Sequence, residues 1–160
     1  MISDLVVDTN VFVHAHNPNV GLRHQESRKL ALRLLDADTT TALRVDPGFS
    51  PEPNSNRSRI GAEYLTHLVP GMLGHQVVQT LAASMRIRPV ALAGDDQTRT
   101  EVEQLVTDPS DRVFLRVAIG SDAKVLALHD DAAFPDEVRS ASHTRWAVLL
   151  GEAVDALALI

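Results

Sequence analysis

The chain has 160 residues, 44% hydrophobic and 22% charged, which is enough to bury a core and ordinary for a globular protein. It has no cysteine and a formal charge of −6, which excludes disulfides, thiolate metal sites and a surface that attracts nucleic acid as a whole. No apolar run reaches the length of a membrane span and Met1-Ile2-Ser3-Asp4 does not begin a signal peptide, so one cytoplasmic domain over 1–160 is expected.

Leu5-Val6-Val7 is a short buried strand that stops at Asp8, with a helix or turn over 9–16 behind it. Leu30, Ala31, Leu34 and Leu35 share one helical face, which predicts a helix over 25–35. A second strand fits 41–45. Next comes DPGFSPEPNSNRSR, residues 46–59, with three prolines and little apolar content; it reads as a long exposed loop of the functional or mobile kind. Helices are expected over 60–68 and 72–85, divided by Pro70-Gly71. An edge strand follows near 89–92 because of its proline. Helices over 98–106 and 110–119 lead to a strand over 123–128 that ends at His129-Asp130-Asp131. A strand over 146–150 and a helix over 152–159 close the chain. Strands and helices alternate as in α/β layering.

In an open parallel sheet, ligands bind beyond the carboxyl ends of the strands. Asp8 and Asp130 both stand at such ends, on one edge if their strands are parallel. Asp111 lies in the first turn of the helix that leads into the Asp130 strand, and Glu63 lies in the first half of its own helix, beside Ile60 and Leu65. Four carboxylates brought together cannot all stay ionised without a counter-charge. All-oxygen ligands without cysteine favour Mg²⁺ or Mn²⁺, and the chemistry implied is metal-assisted hydrolysis of a phosphate ester.

VVDTNVFV, IGAEY, DPSDRVFLRVA and KVLALHDDAAF together resemble the PIN-domain ribonucleases, including the VapC-like toxins of bacterial toxin–antitoxin pairs. The resemblance runs from Leu5 to the closing AVLLGEAVDALAL, and D-T-N after the first strand is its most specific piece. It implies a three-layer sandwich, a parallel sheet of about five strands flanked by helices, with Mg²⁺ or Mn²⁺ in an acidic pocket. It implies that Asp8, Glu63, Asp111 and Asp130 are the catalytic, metal-holding acids, that Asn10 braces the site by hydrogen bonds and that Thr9 is its small polar neighbour. RNA is the substrate implied, and for a toxin the partners are an antitoxin and a second copy of the chain. Two features depart from the pattern. HDDAAF leaves Asp130 and Asp131 competing for the inward position, with Asp130 preferred, and the 46–59 loop is longer than the shortest members carry.

Each residue alone has a bland reading. Asp8 suits an Asx turn, Asp111 the dipole of a helix capped by Asp108-Pro109, Glu63 a solvated face and Asp130-Asp131 a turn. His14-x-His16 without a third ligand reads as surface, and His129 as a turn position. Arg57 and Arg59, with Arg86 and Arg88, are the candidates for a local basic patch on substrate phosphates. Two other classes compete with a ribonuclease. One is a PIN-like module that holds RNA or protein without cutting. The other is a haloacid-dehalogenase-type phosphatase, which wants an acid where Asn10 stands.

Overall fold

Parallel strands covered on both faces need continuous apolar runs, and Leu5-Val6-Val7 and Val125-Leu126-Ala127 are buried throughout. The computed structural model describes every residue except Ala93, Gly94, Asp130 and Asp131. Its sheet consists of β1 (Asp4–Val7), β2 (Ala42–Val45), β3 (Ile87–Pro89), β4 (Val125–Ala127) and β5 (Leu149–Gly151). All pairings are parallel, in the order β3-β2-β1-β4-β5. The register sets Val7 beside Ala127, Val45 beside Pro89 and Ala127 beside Gly151, so the strands finish along one edge. Proline at the end of β3 is tolerated because β3 is an outer strand.

Helices α1 (Thr9–Ala15), α2 (Leu22–Leu35), α4 (Leu73–Ala83) and α8 (Ala153–Leu157) pack among themselves as one layer. On the other side α6 (Pro109–Gly120) crosses β1, β2 and β4, flanked by α3 (Arg59–His67) and α5 (Asp96–Leu105), while α7 (Asp136–Trp146) packs on β5. The result is the expected three-layer α/β sandwich. Close approach of α4 to α1 needs Gly74, where an added Cβ would stand 2.7 Å from Phe12 Cβ.

Three expectations need correction. The strand expected over 146–150 starts late: the segment before it forms α7, whose Trp146 is the last helical residue rather than the start of a strand. Ala147 then turns the chain in the left-handed conformation (φ 57°), so β5 begins only at Leu149. Only Val138 and Ser142 of α7 are buried, so it lacks an apolar stripe to read; its signal is electrostatic, with Asp136 and Glu137 in the first turn and His143 and Arg145 in the last. The strand expected over 123–128 is shorter because Ala123 N–H bonds the Asp4 carboxylate (2.8 Å) rather than a backbone carbonyl of a neighbouring strand. β3 ends at Pro89, where the expected strand began.

Two interactions seat α3. Asp46, directly after β2, accepts from Ser58 Oγ (2.6 Å), Arg59 N (2.7 Å) and Ile60 N (2.9 Å), so a buried carboxylate satisfies amides that a helix start leaves orphaned. Tyr64, wholly buried, donates its hydroxyl to Val7 O (2.5 Å) and meets the Phe12 ring edge-on, centroids 5.6 Å apart. The preceding loop is folded on itself rather than simply exposed. Arg57 N and Ser58 N bond Gly48 O, and Gly48, at φ 90°, lies against Arg57. Asp46→Ala should lower stability by about 2–3 kcal/mol and Tyr64→Phe by about 1 kcal/mol, read as shifts of the urea midpoint at constant m.

Candidate active site

Each strand delivers its next residues to the same edge. From β2 through β1 and β4 to β5 these include Asp46, Asp8, His129 and Glu152. Asp8 follows the central strand. It is buried, its N–H bonds Ala127 O (2.8 Å), and it takes the N-cap position of α1 without a side-chain cap bond. Its carboxylate is close enough to Tyr64 to act on the phenol. Burial first, then the charges of Asp8 and Asp46, push the Tyr64 hydroxyl well above its ordinary range. Tyr64 therefore stays neutral and a donor.

Helix direction brings Asp111 to this edge. The far end of α6 is held at the opposite edge, where Asp122 N bonds Asp4 (3.1 Å), so α6 runs against the strands and its first turn lies near their carboxyl ends. Asp108 caps that turn, accepting from Ser110 N (2.9 Å) and Oγ (2.7 Å), which leaves capping to Asp108 rather than Asp111. Asp111 borders a groove of about 600 Å³ with Asp108, Ala132 and Ala133. Glu63, half-buried, lines a cavity of about 240 Å³ between α3 and α6 with Pro109 and Ser110, and its carboxylate lies 3.4 Å from His67. Three of the predicted acids thus occupy one edge. Asp130 and its competitor Asp131 lie outside the described residues. Among the described residues no three histidines or acids gather closely enough to hold a metal ion.

The supporting residues divide. Thr9 Oγ1 is buried beside Asp8 with no hydrogen-bond partner among the described residues. Asn10 is exposed and its side chain makes no hydrogen bond among them, so the expected bracing is not present there. Arg57 Nη1 donates to Asn54 O and Asn56 O and so holds its own loop. Arg59 is exposed at the start of α3. The sequence reading missed Asp46, although its position after a strand repeats that of Asp8.

It also gave His129 only a turn position, whereas the residue is buried and packed against other layers. Its Nε2 is 2.5 Å from Ser27 Oγ, and its Nδ1 lies 3.1 Å from Glu152 Oε2 without hydrogen-bond alignment. Glu152 is held by Arg23 through Nε (3.1 Å) and Nη2 (2.6 Å). His14 stacks on His24 (4.2 Å) and tilts against His129 (4.7 Å), while His16 is exposed, so one ring of the expected surface pair belongs instead to a partly buried cluster. Burial, outweighing Glu152, lowers the His129 pKa to about 4, with His14, Arg23 and His24 acting in the same direction. Burial and His24 likewise lower that of His14.

Against models of known families, curated proteins and solved structures, the chain has no match.

The histidine cluster has a consequence for stability. Unfolded histidines take up protons near pH 6.5 that the folded ones refuse, so stability present at neutral pH is lost as the pH falls from 6.5 towards 4. The loss assigned to His129 is about 3 kcal/mol across that window, seen as a falling urea midpoint. His129→Gln should flatten the pH dependence.

Proposed function

We propose that the chain is a PIN-like, metal-dependent endoribonuclease that hydrolyses RNA phosphodiesters at the carboxyl edge of its sheet. What supports this is the placement of Asp8, Glu63 and Asp111, remote in sequence, along the edge where an open parallel sheet binds its ligands. A five-stranded parallel sheet flanked by helices is the architecture that the resemblance carried by VVDTNVFV and DPSDRVFLRVA implies.

The donor chemistry fits a hard divalent cation. Asp8, Glu63 and Asp111 offer only oxygen, and the buried Thr9 hydroxyl has no protein partner among the described residues. Because no three described groups suffice as ligands, Asp130 or Asp131 has to complete the set under this reading. When bound, Mg²⁺ or Mn²⁺ would neutralise phosphate charge and acidify water next to phosphorus. Asp8 supplies a fixed carboxylate, anchored on the central strand and through its N–H on β4. Glu63 and Asp111 approach from two helices, over the cavity and the groove that admit substrate. Tyr64 contributes by remaining protonated, which keeps one more negative charge away from the phosphate.

A second reading, a PIN-like module that holds RNA or a protein without cutting it, is favoured by the absence of a metal-holding group among the described residues. A toxin's antitoxin and self-association belong to the first reading as proposed partners.

Single-stranded RNA incubated with Mn²⁺ or Mg²⁺ separates them. The nuclease cleaves it to 5′-phosphate and 3′-hydroxyl ends, and EDTA or Asp8→Asn lowers the rate about 100-fold or more. Equal cleavage by Asp8→Asn refutes the assignment. Intact RNA, with no calorimetric Mn²⁺ uptake that Asp8→Asn removes, leaves the binding module.

A further inference from the structure

Beside the Glu63 cavity lies a second one, of about 90 Å³, between α3, α5 and α6. Arg59, Arg112 and Arg116 all line it, and Glu103 is the only acid among the described residues of its wall. The two cavities share Arg59, Pro109 and Val113, so they adjoin. The three guanidiniums differ in what occupies them. Arg112 is committed to the backbone: its Nε donates to Val106 O (2.6 Å) and its Nη2 to Thr107 O (2.9 Å), which closes the end of α5. Arg59 and Arg116 have no ion pair or side-chain hydrogen bond among the described residues. Arg59 stands one helical turn from Glu63, yet the group near the Glu63 carboxylate is His67, on the turn beyond. Arg116 is the sharper case, because its Nε is fully buried and unpartnered. Because that atom is enclosed, an anion in the cavity would be met by the Nη groups of Arg116, and a guanidinium with no carboxylate paired to it among the described residues is best satisfied by an anion.

We infer that this cavity is a phosphate subsite, in which Arg116 and Arg59 hold a backbone phosphate of single-stranded RNA next to the one that is cleaved. The inference rests on the ribonuclease reading for the identity of its ligand. Its volume suits one phosphate group, about three waters' worth, and no nucleoside. Leu92, Val102 and Val113 complete its lining and strengthen the field of the two cations. The subsite supplies the local positive charge that a chain of net charge −6 otherwise lacks. Of the two arginines singled out in the loop, only Arg59 belongs to it. The phosphate it holds leads the strand along α3 to Glu63.

Binding tests this without any cleavage. Inorganic phosphate, added in EDTA, should shift the Nε–Hε resonances of Arg116 and Arg59 in the wild-type protein. Under the same conditions a fluorescent single-stranded RNA should bind about 10-fold more weakly to Arg116→Gln at low salt, with the salt slope reduced by about 0.7 for each lost contact. Arg116→Lys, which keeps the charge, should retain most of the affinity. Arg33→Gln, on α2 and paired with Asp36, should change nothing. Unmoved arginine resonances overturn the subsite even if the protein cuts RNA. Phosphate binding that RNA does not displace overturns its assignment to substrate. If the subsite binds phosphate and RNA as described but Mn²⁺ elicits no cleavage, the subsite stands and the nuclease reading falls.

Discussion

The hydrogen bond from the Tyr64 hydroxyl to Val7 O joins α3 to the end of the central strand, and the arrangement of the carboxyl edge depends on it. A phenol can do this because its ring is apolar enough to be buried against Phe12 while its oxygen reaches the backbone. Once α3 is seated, Glu63, one residue before Tyr64, faces the first turn of α6 across a shared cavity. The same hydroxyl then sits in the field of Asp8 and Asp46, which suppresses its ionisation. Neutral tyrosine is what the edge can tolerate; a phenolate there would add charge to a place already rich in acid.

The two edges of the sheet handle buried charge differently. At the amino edge Asp4 is neutralised outright: Arg44 pairs with it at 2.6 Å and reaches on to Asp122 at 2.9 Å, while two backbone amides complete its shell. At the carboxyl edge the flanking acids have structural duties. Asp46 closes the start of α3, and Glu152 is clamped by Arg23 against a neutral His129. Asp8 stands between them on the central strand. With its outer acids committed to structure, this edge leaves the buried Asp8 on its central strand, while the Glu63 cavity and the Asp111 groove lie along the same edge.

Much of the fold was legible because burial leaves a period in the sequence. The strand before Asp8, the helix over 110–119 and the apolar face of 25–35 all became elements within a few residues of their expected limits. α7 was not legible because it lies on β5 with little burial, so its helical state rests on charges at its ends and on tertiary support. His129 was misread for a related reason. A histidine after a strand looks alike in sequence whether it meets water or a serine from another layer, and Ser27 is far away in the chain. Arg116 carried no signal at all, since its significance is the absence of a partner in three dimensions.

By itself the sequence determined that a short β-branched run stops abruptly at Asp8 and that helices separate the strands. Only the tertiary structure decided what each acid meets. Asp46 and Asp8 occupy equivalent positions after neighbouring strands, yet one receives three donors from α3 and the other lies beside a neutral phenol. The reason is physical: charge at a strand end is specified locally, whereas its neutralisation depends on groups that other elements bring within about 3 Å, and chain order does not contain that distance.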